Sequence, residues 1–222
     1  MKKRSFWRDN GLSIVVGAIF LVCLVGQTIT GWHDHNNEQR LHREAPDSLG
    51  QYMRSGDYFE AIFENWESEF LQMGAYIVLT VALFQRGSAE SKDPDKSETV
   101  DENPTEKKDD PNAPGPVRAG GWKLQIYSYS LSLAFLGLFL ASFIGHAIGG
   151  ASAYSEELKQ FGQAPVSTLQ YLGTARFWFE SLQNWQSEFL AVLAIVVLTI
   201  HLRQQGSPES KPVAAPHSQT GT

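Results

Sequence analysis

The chain has 222 residues, a formal net charge of −6 and a single cysteine, Cys23. One cysteine excludes an intramolecular disulfide and a dithiol redox pair, and the acidic balance, with no basic stripe, excludes a nucleic-acid surface. The averages look soluble, but the apolar residues are gathered into four runs, and the charges into one linker, two loops and the tail.

The first run, Leu12 to Gly31, is almost uncharged and follows Lys2, Lys3 and Arg4. A bilayer-spanning helix needs about 20 apolar residues, and this run supplies them. The basic start resembles a signal-peptide n-region. However, the run is long and ends in TITGW rather than at a small-x-small site, so a retained helix is expected. The polar segment HDHNNEQRLHRE follows with no breaker before Pro46, so the helix should project beyond the membrane until proline ends it. Ser55 or Asp57 is placed to cap the next helix. There Phe59, Ile62, Phe63, Trp66, Phe70 and Met73 recur at helical spacing. This amphipathic approach leads into the second run, Phe70 to Phe84.

From about Arg86 to Gly121 the chain is charged, Pro-bearing and nearly free of large apolar residues. Such a segment buries too little to offset its ordering entropy, so a disordered tether is expected. The tail after Gly206 reads the same way. The third run, Ile126 to Gly150, is long enough to span. The fourth, Phe189 to Ile200, needs its approach from Trp185 to reach full length.

The two halves align without a gap at a spacing of 119 residues. NWESEFL at Asn65 and NWQSEFL at Asn184 differ only at their third residue. Pro46 falls on Pro165, Gln51-Tyr52 on Gln170-Tyr171, and Glu90-Ser91-Lys92 on Glu209-Ser210-Lys211. This pattern indicates a tandem duplication. Two spans per copy give both copies one orientation, related by an axis along the membrane normal. With both termini inside, thirteen Lys and Arg lie on the cytoplasmic side and five outside (Arg40, Arg43, Arg54, Lys159 and Arg176). The positive-inside rule therefore puts both termini in the cytoplasm.

Glu69 and Glu188 stand at the mouths of the second and fourth runs, about one turn past Trp66 and Trp185. Tryptophan favours the interface, so each Glu should lie just under the outer headgroups. One reading is a Glu that reaches water. The sharper reading is interhelical hydrogen bonding. Depth matches Gln27 with Glu69, and His146 with Glu188; only the second pair can titrate near neutral pH. Asn65 with Ser68, and Asn184 with Ser187, sit beside these glutamates on one helix face.

His146 and His201 fall at opposite ends of successive spans, so one haem iron cannot join them. His33, His35 and His42 with Asp34 offer metal-ligand chemistry outside, but the second half has Ser152, Tyr154 and Phe161 there. Solvated loop histidines are the expectation, with no metal and no cofactor. Glycines of the first and third runs, among them Gly17, Gly26, Gly31, Gly137, Gly145, Gly149 and Gly150, mark candidate helix contacts. No phosphate-cradling loop, nucleophile elbow, metalloprotease pair or dinucleotide fingerprint occurs.

The NWxSEFL motif, an apolar run ending in LxQxGSxESK, and VGQ near the end of the first run together resemble an uncharacterised family of small bacterial integral membrane proteins, a domain of unknown function. The resemblance covers nearly the whole chain. It implies a bacterial inner-membrane protein and carries over no activity, cofactor or catalytic residue.

The expected fold is an all-α membrane protein with four transmembrane helices in two tandem hairpins. Residues 1–86 and 122–205 form the two copies, 87–121 the linker and 206–222 a disordered cytoplasmic tail. The expected role is non-enzymatic, structural or interaction-type, with the bilayer and either a second copy or an envelope protein as partner. The alternative is a small-solute or ion translocator with a site between the copies.

Overall fold

The computed structural model describes residues 6–221, so the basic Lys2, Lys3 and Arg4 lie outside the described residues. Among the described residues there is no strand. Helices α1 (Phe6–Leu41), α2 (Leu49–Tyr52) and α3 (Gly56–Ala82) are followed by α4 (Gly115–Ala119) and α5 (Gly121–Ser128). Helices α6 (Ser130–Gln160), α7 (Thr168–Tyr171) and α8 (Ala175–Leu198) complete the order.

Three of these, α1, α6 and α8, are long and apolar enough to cross a membrane. With 36 residues, α1 rises about 54 Å, well beyond a hydrocarbon core of about 30 Å. Only 6% of its most apolar stretch is buried. Leu12, Val16, Ile19 and Val22 all face outward. A soluble monomer rarely exposes so continuous an apolar surface, whereas lipid accommodates it. The expected fourth span, on α3, is not among the three. Its first half carries Glu60, Glu64, Glu67 and Glu69, and the uninterrupted apolar part from Phe70 to Ala82 covers only about 20 Å.

Helix ends follow local chemistry rather than the prolines. α1 stops at Leu41 and α6 at Gln160, each several residues before Pro46 and Pro165. Arg43 (φ 64) and Gly162 (φ 68) adopt the left-handed conformation just past these ends. Glu44 N–H donates to Gln39 O and Gln163 N–H to Leu158 O, both over 2.9 Å or less. These are Schellman closures, which satisfy carbonyls of the last turn. Ser48 and Ser167 then cap α2 and α7, each with a glutamine three residues on accepting in return. Ser55 and Thr174 accept from Tyr58 N–H and Phe177 N–H at the starts of α3 and α8. Each of these stations recurs at a spacing of 119 residues.

The described chain divides into two compact units, one of residues up to 62 with 146–171 and one of 63–145 with residues from 172 on, so each takes residues from both halves of the sequence. In the first unit the start of α3 lies directly on the last turns of α6. A Cβ on Gly149 would stand 2.6 Å from Glu60 N, and one on Gly56 would stand 2.8 Å from Gly149 O. Two backbones at this range admit only glycine. By contrast, a Cβ on Gly17, Gly26 or Gly137 would meet nothing within 4 Å, so those positions do not mark helix contacts among the described residues. Tyr52 and Tyr171 are the buried aromatic plugs of this unit, 5% and 0% exposed.

In the second unit Phe70 of α3 lies 6.3 Å from Phe135 of α6, and Phe143 meets the buried Phe177 edge-on at 5.3 Å. The segment 87–121, expected as a disordered tether, instead carries turns, two 3-10 turns (Thr99–Asp101 and Pro104–Lys107) and α4. Its alternating charges make short-range pairs: Lys92 with Asp101 at 2.6 Å, Lys96 with Asp93 at 2.8 Å and Arg86 with Asp95 at 2.9 Å. The Lys96 ammonium, hydrogen-bonded to Asp93, holds that carboxyl below its usual range.

The tail is also organised, around Lys211, which is 1% exposed. Its Nζ donates to Gly87 O (2.5 Å), Gln219 O (2.9 Å) and His217 O (3.0 Å). Composition did not reveal this because the tail is closed by backbone carbonyls, which every sequence has, rather than by apolar side chains.

Candidate functional site

The second unit brings the two heptamers together. Asn184 Nδ2 of α8 donates to Glu64 Oε1 of α3. Trp185 Nε1 donates to Glu67 Oε1 over 3.1 Å. Glu67 is 0% exposed, and a buried carboxylate is tolerated only with donors aimed at it. Amide and indole N–H groups fix a carboxylate without exchanging protons near neutral pH, which suits a tie rather than a relay.

The small polar residues of the motif turn back on their own helices. Ser68 Oγ donates to Asn65 O and Ser187 Oγ to Asn184 O, each over 2.8 Å. This local bonding relieves the cost of a hydroxyl in an apolar setting. Trp66 stands edge-on to Phe63 at 5.6 Å, and Trp185 edge-on to Trp178 at 6.3 Å. Glu69 lies within electrostatic reach of Glu188, so the two equivalent carboxylates of the motif share one region. Toward the far ends of α3 and α8 an apolar groove of about 370 Å³ is lined by Leu79, Leu83, Phe84, Phe189 and Leu193.

Gln27 and His146 belong to the first unit, Glu69 and Glu188 to the second. Gln27 Nε2 donates to Ala61 O over 3.4 Å, so it ties α1 to α3. Next to it Thr28 and Tyr58 share a hydroxyl–hydroxyl bond of 3.1 Å. His146 is 0% exposed, and its ring lies within 4.8 Å of the Glu60 carboxylate. Tyr171 Oη donates to Glu60 Oε1 over 2.9 Å. Glu60 and His146 are two metal-competent groups that this unit places together.

His35 departs most from expectation. It lies inside α1, with a side chain only 10% exposed. Its Nδ1 is 2.8 Å from Asp57 Oδ2 and its Nε2 is 3.1 Å from Asp47 Oδ2. It is therefore not a solvated loop histidine. His33, by contrast, is exposed, with its ring 4.9 Å from that of Trp32.

Sequence reading missed Glu60, Glu64, Glu67 and Tyr171. Glu67 occupies the one position at which the heptamers differ, so pattern matching set it aside. A usable signal was present in the recurrence of Glu60, Glu64 and Glu67 at helical spacings of four and three.

The family described as Domain of unknown function (DUF6766) matches residues 3–222. The chain belongs to this family. No curated protein and no solved structure matches it. Membership in DUF6766 covers the heptamers, the His35 cluster and the tail alike, and assigns a role to none of them.

Proposed function

We propose that this DUF6766 protein is a non-enzymatic membrane protein with a structural or interaction role in the bacterial inner membrane. In this reading α3 joins α1, α6 and α8 as a fourth span, the two hairpins descend from a tandem duplication, and both termini are cytoplasmic. The recurrence of Schellman closures, capping boxes and N-caps at one spacing supports the duplication.

The observation that carries the proposal is the engagement of the α3 carboxylates. Glu64 and Glu67 receive the Asn184 and Trp185 donors. Polar groups in apolar helices that bond one another act as interhelical ties. A helix α1 much longer than the hydrocarbon core is thick suits docking to an envelope partner or to a second copy.

The second reading is a small-solute or ion translocator with a site between the two copies. One observation favours it: Glu69 and Glu188, two carboxylates of one sign, lie within reach of each other, and intramembrane acids commonly mark ion pathways. Purified protein in liposomes decides between the two. No proton or cation flux above empty liposomes supports the structural role. Flux that disappears in Glu188→Gln establishes the translocator.

A further inference from the structure

We propose that His35 is a proton-operated clasp that shuts the outer end of α1 onto the 42–55 loop and the start of α3. The geometry is that of one imidazole between two carboxylates, Asp57 on Nδ1 and Asp47 on Nε2. An imidazole donates from both nitrogens only as the cation; the neutral ring has one donor and one acceptor. Loss of the proton therefore turns one of these contacts from a charge-assisted hydrogen bond into a lone pair facing a carboxylate.

The groups around the ring set the direction. On α1 itself are Asp34 and Gln39, whose Nε2 lies 3.1 Å from His35 Nε2. The loop contributes Asp47, α2 contributes Tyr52 with its ring 5.3 Å away, and α3 contributes Asp57, with Tyr58 behind Tyr52. From α6, Glu156 feels His35, Asp47 and Asp57 together, with Lys159 beside it. Acids dominate this surrounding. The clasp is fully shut where both ring nitrogens carry a proton and is released where one of them has lost it.

The second half of the chain supplies an internal control. Asn36 holds the loop through Asp47, with Asp47 N–H donating to Asn36 Oδ1 and Asn36 Nδ2 to Asp47 O. Ser155 holds Val166 through the same two backbone groups. The residues equivalent to His35, Asp47 and Asp57 are Tyr154, Val166 and Arg176. The backbone tie is thus present twice, and the titratable bridge once.

The test is hydrogen exchange of the full chain in lipid nanodiscs at about pH 5.5 and about pH 8, corrected for intrinsic rates. Residues 42–55 are expected to exchange about tenfold faster at the higher pH, the size of one lost charge-assisted hydrogen bond, while 161–174 hold constant. In His35→Gln, residues 42–55 should exchange fast at both pH values. The proposal is overturned if 42–55 in the wild type ignores pH, if 161–174 shifts equally, or if His35→Gln keeps the step. Should that variant fail to fold, the comparison of the two wild-type loops decides alone.

Discussion

The indole of Trp185 donates to the carboxylate of Glu67 over 3.1 Å, so the second heptamer grips the first at the one position where the two differ. Asn184 does the same one residue earlier, to Glu64. A motif that began as two separate mouths of two apolar runs is therefore one interlocked station. Its differing residue is 0% exposed.

Replacing Asn184 with Leu should destabilise the chain by about 1–3 kcal/mol, the cost of leaving a carboxylate without its donor. Thermal unfolding in detergent, compared with exposed Leu169→Ala as a surface control, reads this directly. Equal melting of the two variants would contradict the tie.

Close backbone packing in the first unit makes Gly149 intolerant. A Cβ there would stand 2.6 Å from Glu60 N, a backbone atom that cannot move aside. Gly149→Val should cost about 1–3 kcal/mol by overpacking. Gly137→Ala, which enters open space, should be neutral or slightly stabilising by helix propensity. A melting series that ranks the two the other way would show that the helices do not cross at Gly149.

How far the sequence revealed these features depends on what each rests on. Long apolar runs announce α1, α6 and α8, because hydropathy over a full turn count is a bulk property. Caps were legible where side chains make them, as at Ser55. Helix ends closed by Arg43 and Gly162 were not, since a left-handed residue before a proline leaves little trace and Pro46 is itself a helix stop. The Lys211 cage and the His35 bridge both depend on long-range placement. Nothing in HDHNNEQR tells which of its histidines faces Asp57, more than twenty residues away.

Alkaline conditions should loosen the 42–55 loop through Tyr52. Burial, with help from Asp57, Tyr58 and Asp34, raises its phenol above the usual value. The unfolded phenol ionises near pH 10; the folded one ionises later. Stability from the neutral phenol is thus complete below about pH 10 and is lost as pH climbs from there through the folded value. Tyr52→Phe should flatten that part of the alkaline stability curve; an unchanged slope would remove Tyr52 as its cause.

Lys211 makes a separate prediction for the tail. Burial, with Arg203 adding, lowers its affinity for the proton, yet its Nζ is what holds the carbonyls of Gly87, His217 and Gln219 together. Lys211→Met should leave those carbonyls without a donor and speed limited proteolysis between 206 and 221, with little change in the melting of the helices. Protection equal to wild type would mean that the tail closes without the ammonium.

The interlock of the two heptamers is tested most directly by a double-mutant cycle on Trp185→Phe and Glu67→Gln, measured as unfolding free energy of the full chain in one detergent. A coupling energy of about 0.5–2 kcal/mol between the two sites is expected for residues in one buried hydrogen bond. Strictly additive effects would contradict it and leave the repeated motif without the tie described here.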